Sequence, residues 1–252
     1  MTNLPEAEAL SLKEARRLSR MGDLDSAEQL FNDTLRSSNE STIHWVFGAE
    51  YQNHEEHEKA IVCFNRAIEL DEQCVPAWGG LGRSLMDLKR WENSETALRR
   101  RLELGESANH YVFLATVLMR QSKYEECIEC CEQSLKLDDC QVDALLNLGR
   151  AYSFLGRHQE AISACRRSLS IDDQYDDAQV CMGVVLAEAN KTAEASDAFQ
   201  RAIDINPQNV NAYREFGYLQ RSNGDPVLAR SYLRTARDLE KRKSCGKTGE
   251  KK

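Results

Sequence analysis

Proline is scarce: four residues in 252, so long stretches hold nothing that must interrupt a helix. Runs of β-branched residues are few as well, and an all-α chain is expected. No apolar run reaches the roughly 18 residues that suggest a membrane-crossing helix, so stable membrane insertion is not expected. The amino-terminal stretch MTNLPEAEALSLKEARR has no charged-then-apolar signal pattern and no lipoprotein-like cysteine, which makes the cytoplasm the expected setting. Basic residues do not dominate either. Lys and Arg total 33 against 41 Asp and Glu, for a net charge of −8, and nucleic acid is not the expected partner. The chain contains no G-x-S-x-G, no G-x-x-x-x-G-K and no G-x-G-x-x-G, so neither catalytic residues nor a cofactor are expected, and the chain is not read as an enzyme. Gly246-Lys247-Thr248 ends like a phosphate-binding loop but lies in a terminal tail with no strand before it.

What the chain has instead is a period. A small residue, an alanine, a large apolar residue and a second small residue return at fixed offsets. The alanine slot is filled by Ala27, Ala60, Ser94, Cys127, Ala161, Ala195 and Ala229, spaced by 33, 34, 33, 34, 34 and 34 residues. Self-similarity at such a period means stacked copies of one supersecondary unit. Within a copy the apolar residues fall at helical spacing twice over. Leu145, Leu148, Gly149 and Tyr152 form one stripe; Ala161, Ile162, Cys165 and Leu169 form the next. The unit is therefore a helix pair. Ala15, Gly48, Gly82, Ala115, Gly149, Gly183 and Gly217 fall in the middle of the first helix, where glycine costs about 1 kcal/mol against alanine. Its return at one slot implies that the two helices of a pair approach too closely for a side chain. Turn residues separate the helices at Gly22-Asp23, Gly156-Arg157 and Asn223-Gly224-Asp225-Pro226; the last reads as a terminating glycine, a capping aspartate and a first-turn proline.

These features resemble the tetratricopeptide repeat (TPR) family, whose pattern is tryptophan, leucine, glycine, tyrosine, then alanine, phenylalanine, alanine and proline over 34 residues. Gly48, Tyr51, Ala60, Phe64 and Ala67 carry it in one copy; Trp78, Leu81 and Gly82 in another; Gly183, Ala195, Phe199, Ala202 and Pro207 in a third. The resemblance implies a right-handed superhelical solenoid of seven helix-turn-helix units. They are framed as 8–40, 41–74, 75–107, 108–141, 142–175, 176–209 and 210–242, after a short extension, 1–7. The unit-ending proline is present only as Pro207, so the other junctions are expected to be less fixed. Residues 243–252 are expected to be a disordered basic tail. No separate solvating helix closes the carboxyl-terminal end, which leaves self-association there as an expectation.

The resemblance also implies that the first helices line a concave groove for a protein or peptide partner. The family's ligand-contacting positions fall here on Trp45, Arg83, Met86, Val112, Thr116, Met119, Arg120, Arg150, Phe154, Val180, Arg214, Tyr218 and Arg221. Arginine fills the ninth position three times, as Arg16, Arg83 and Arg150, and Arg20 adds a further one. Guanidinium forks pair bidentately with carboxylates, and exposed apolar groups among them make an interface-like mixture. The expected function is a non-enzymatic scaffold or adaptor for a segment that is acidic and apolar. The alternative is a regulatory or targeting subunit of an enzyme or membrane-associated assembly. The clamp by which some members grip chaperone tails is not matched: Asn147 fits, but Val112, Thr116, Asp177 and Cys181 stand where its other residues belong.

No metal is expected. Cys127 and Cys130 have C-x-x-C spacing, yet Cys127, Cys131 and Cys165 fall in core slots, where cysteine acts as a small hydrophobe. His54-Glu55-Glu56-His57 lies at a turn, with its histidines three apart. The pairs Asp138-Asp139, Asp172-Asp173 and Asp176-Asp177 are expected to cap the helices that follow them.

Overall fold

The structure is a computed structural model that describes residues 6–21, 24–37 and 40–249. Among the described residues there are fourteen α-helices and no strand. Six consecutive pairs pack together: α1 (Glu6–Arg20) with α2 (Leu24–Ser37), α3 (Ser41–Asn53) with α4 (His57–Leu70), α5 (Val75–Asp87) with α6 (Trp91–Glu103), α9 (Val142–Phe154) with α10 (His158–Ile171), α11 (Asp176–Glu188) with α12 (Thr192–Ile205), and α13 (Val210–Ser222) with α14 (Pro226–Gly249); α7 (Ala108–Arg120) and α8 (Tyr124–Leu137) follow one another in the chain between the third and the fourth of these. The chain divides into two compact bodies between Gln121 and Ser122. In the first, α3 packs on α4 and α5, and α5 on α6 and α7. In the second, α9, α11 and α13 touch in turn, while α10 and α12 each pack on their own partner and on the first helix of the next pair.

The small-residue slot is a packing requirement. A methyl group added at Gly48 would lie 2.7 Å from the Phe64 ring, one at Gly82 would lie 2.7 Å from Leu98, and one at Gly183 would lie 2.6 Å from Phe199. One at Gly149 would lie 2.8 Å from the Cys165 sulfur and one at Gly217 2.8 Å from Leu233. Each contact joins the glycine slot of the first helix to the large apolar slot of the second. Helix propensity is surrendered so that the backbones can close on a ring or a branched chain. Ser94, standing in an alanine slot, is fully buried, and its hydroxyl donates to the Gly82 carbonyl at 2.7 Å. Cys127, Cys131 and Cys165 are fully buried in the core.

The inter-helix turns share one geometry. Glu55, Lys89, Ser122, Gly156, Asn190 and Gly224 all have φ between 59° and 83°. One residue on, the backbone N–H of Glu56, Arg90, Arg157, Lys191 and Asp225 reaches back to the carbonyl five residues earlier. This is the Schellman closure, and only Gly156 and Gly224 adopt its left-handed residue without strain. At the last turn Asp225 accepts from the N–H groups of Val227 and Leu228 at 3.1 and 2.9 Å, capping α14. The Gly22-Asp23 turn lies outside the described residues.

Two expectations are corrected. Asp138 and Asp172 do not cap the next helix: each accepts from the N–H two residues on, Cys140 at 3.1 Å and Gln174 at 3.0 Å. Asp71 and Asn206 do the same. A short polar side chain bonding its own backbone closes these junctions, with proline between the bonded residues at Asn206 and without it at the others. Asp176 and Asp177 lie in the first turn of α11 and accept from Asn209 of the next pair. Secondly, α14 runs on to Gly249, through most of the stretch expected to be a disordered tail. The side chains of residues 243–249 lie outside the described residues.

Candidate protein-interaction faces

The expected groove residues lie on the first helices and divide between the two bodies. In the first body, α3, α5 and α7 carry Trp45, Arg83, Met86, Val112, Thr116, Met119 and Arg120. Arg83 is exposed, and its guanidinium carbon lies 5.6 Å from the centre of the Phe113 ring on α7. It has no carboxylate partner among the described residues. Arg120 is exposed as well, and Met86 and Met119 are half-buried. Gln52 ties α3 to α5 by donating to the Gly80 carbonyl at 3.2 Å and the Ser84 hydroxyl at 3.0 Å. Trp45 is half-buried and packs against the core. Thr116 donates to the Val112 carbonyl at 2.9 Å, one turn back.

In the second body, α9, α11 and α13 carry Arg150, Phe154, Val180, Arg214, Tyr218 and Arg221. Arg150 lies 3.9 Å from Asp177, a loose pairing. Phe154 is 67% exposed and stacks on Tyr124, with ring centres 4.9 Å apart and planes within 5°. Tyr218 is 43% exposed, with the Arg221 guanidinium 5.4 Å from its ring centre.

Three expected anchors differ. Val112 and Val180 are 7% exposed and belong to the core, because the fifth position of these first helices is covered where helices meet. Arg214 is taken up inside the chain: it donates to Asn211 at 2.9 Å and to the Glu240 carboxylate of α14. Arg16, the earliest ninth-position arginine, is likewise paired with Glu50 of α3. The side chain of Arg20 lies outside the described residues.

Sequence reasoning missed His110 and Phe113. Their rings meet edge-on, 5.6 Å apart at 83°, beneath Arg83. Burial, then the charges of Arg101 and Arg83, push the His110 pKa down from 6.5 to about 4. Between those values the unfolded chain holds the proton and the folded chain does not. Stability from this group is therefore present above pH 6.5 and lost as pH falls toward 4. The urea midpoint of wild type is expected to fall more steeply across that window than that of His110→Asn; parallel slopes would contradict this.

No helix among the described residues is long and apolar enough to cross a membrane. Residues 7–242 match a family model described as the cilia and flagella-associated protein 70 C-terminal domain. The chain belongs to that tetratricopeptide-repeat family. It is also similar to Superkiller protein 3 of Schizosaccharomyces pombe, 25% identical over 142 residues, covering 53% of this chain and 10% of the relative. The chain therefore spans about a tenth of that relative's length. Among solved structures, a tetratricopeptide repeat protein from Parabacteroides merdae superposes with a TM-score of 0.79 at 12% identity, covering 93% of this chain and 94% of the other. YrrB, described as a TPR protein with an unusual peptide-binding site, gives 0.61 at 21% identity, covering 72% and 95%. The repeat resemblance and the helical-pair fold are thus shown. A fold of this type is a scaffold for protein–protein contact.

Proposed function

We propose that this member of the cilia and flagella-associated protein 70 C-terminal domain family is a non-enzymatic scaffold whose first helices hold an acidic and apolar segment of a partner protein. One observation carries the reading. Arg83 is held in the open over Phe113, three residues before half-buried Met86, with its fork directed to no carboxylate among the described residues. A guanidinium preorganised on an aromatic ring loses less side-chain freedom when it captures a carboxylate. In the second body, Arg150, Phe154, Tyr218 and Arg221 offer the same chemistry. Arg214, Val112 and Val180 do not belong to this reading, because their side chains are already engaged or covered.

Peptide binding is described for YrrB, a bearer of the same fold. The family's description supports looking first in ciliary or flagellar extracts. The test is affinity capture with wild type against Arg83→Glu, Arg150→Glu and the double variant, each with unchanged helical circular dichroism. Partners retained by wild type and lost at least about tenfold from a variant are the expected result, since truncating or reversing an anchor commonly costs 1 kcal/mol or more. Identical partner sets in all four would sink the reading.

A further inference from the structure

Three slots on each first helix stand sixteen, thirteen and nine residues before the alanine slot. Their offsets of three and four put them on one face. From α3 to α13 this face carries at least one ring in every first helix but one. Tyr51, Trp78, Tyr111, Tyr152 and Tyr213 belong to it, whereas α11 has Gln179, Met182 and Leu186. Beside those three residues lies a cavity of about 490 Å³, bounded by α10, α11 and α12. Leu169, Met182, Leu186 and Ala198 give it an apolar interior, and its size and lining are those of a binding pocket. Gln179 is 8% exposed, lines the cavity, and its amide has no hydrogen bond among the described residues. Arg166, Arg201, Asp173, Glu194 and Asp197 also line it, with charges of both signs, so charge does not select the guest.

The neighbouring helices show what the space would take. The junction residue twelve after the alanine slot supplies an acceptor to the first helix that follows. The Trp78 indole N–H donates to the Glu72 carbonyl at 2.9 Å, and the Tyr111 hydroxyl donates to the Glu106 carboxylate at 3.4 Å. Before α9, where Leu145 has no donor to offer, Arg167 donates to the Asp139 carbonyl at 3.0 Å. Asp173 is the counterpart before α11, and it lines the cavity. Its carboxylate accepts from the Gln174 amide at 3.2 Å, while its carbonyl accepts from no donor among the described residues. The acceptor left over is the one that an indole uses at Glu72.

We propose that this cavity binds a tryptophan side chain of a partner protein, with the indole N–H on the Asp173 carbonyl and the ring against Met182 and Leu186. A tryptophan suits it because the ring fills apolar space while its one donor finds the one free acceptor. The Gln179 amide can give an N–H to the face of the guest ring. A second copy of this chain is not the source: none of Trp45, Trp78 and Trp91 is exposed. The site is separate from the groove reading. Val184 and Glu188, five and nine residues after Gln179, lie about 140° and 180° around α11 from it.

The probe is N-acetyl-tryptophanamide, titrated into the full chain with its methionine methyl groups labelled for NMR. The Met182 methyl is expected to shift saturably under the ring, while Met86 and Met119 stay in place. The analogue methylated on the indole nitrogen should bind about fivefold more weakly, since it leaves the carbonyl unpaired. Gln179→Trp supplies the ring from within the chain. It is expected to raise the urea midpoint and to abolish the Met182 response. The proposal is overturned if Met182 does not respond up to the solubility limit of the probe. It is equally overturned if the methylated analogue or N-acetyl-phenylalaninamide binds as well as the tryptophan compound, which would mark general apolar adhesion. A Gln179→Trp chain that folds and still binds the probe would also overturn it. The wild-type titrations decide the matter should that variant fail to fold.

Discussion

Phe199→Ala is expected to lower stability by about 3–5 kcal/mol, the range for removing a large aromatic from a closed core. The ring is 1% exposed and fills the space against which Gly183 closes. It is also a link between pairs: its centre lies 5.7 Å from that of Phe216 on α13, and Phe216 stacks on Tyr232 of α14 at 4.5 Å. Removing it leaves a cavity between α11 and α12 and takes away the surface on which α13 is seated. In a stacked array, stability is a sum of unit and interface terms, so the loss should be local. Hydrogen exchange is expected to accelerate in α11 to α14 well before it does in α3 to α6. A fall below about 1 kcal/mol, or uniform acceleration along the chain, would show that this ring is not the joint described.

Gly183→Ala is expected to destabilise even though alanine is the better helix former. The new methyl would stand 2.6, 2.7 and 2.9 Å from three carbons of the Phe199 ring, which is enclosed and cannot swing aside. Overpacking of this kind costs about 1–3 kcal/mol, against a gain of about 1 kcal/mol in helix propensity. The net effect should be a loss of up to about 2 kcal/mol in wild type. In the Phe199→Ala background its sign should reverse, because the methyl enters the cavity and the propensity gain remains. The double-mutant cycle by urea unfolding measures that coupling directly. Additive effects would mean that the close approach has no energetic consequence.

The same contact explains why the repeat could be read in spite of its variation. Phe64, Leu98, Cys131, Cys165, Phe199 and Leu233 differ widely in volume, but each stands four residues after the alanine slot. Five glycines that they face would clash with them if given a side chain: Gly48, Gly82, Gly149, Gly183 and Gly217. Period, helix pairs and core cysteines are carried by local spacing, and local spacing is written in the chain. Helix ends were less legible. Lys89 and Asn190 adopt the left-handed turn without being glycine, and Asp138 and Asp172 close junctions with the same side-chain bond that Asn206 makes before Pro207. Several residue types can satisfy those geometries, so composition alone does not single out the one in use.

The interaction faces show where reading by position stops. The sequence by itself determined the all-α class, the seven helix pairs, the small-residue slots and which helix each arginine rides on. All of these follow from offsets of three, four and about 34 residues. Only the tertiary structure decided which of those arginines are available. Arg16 is held by Glu50 and Arg214 by Glu240, 34 and 26 residues away, whereas Arg83 rests on a ring with no carboxylate partner among the described residues. It likewise decided that Val112 and Val180 belong to the core while Phe154 stands in the open against Tyr124. The physical reason is that a charge takes whichever counter-charge the fold brings near, and an apolar side chain is buried or bare according to what stacks above it. Neither neighbour is specified by the residues immediately beside it in the chain.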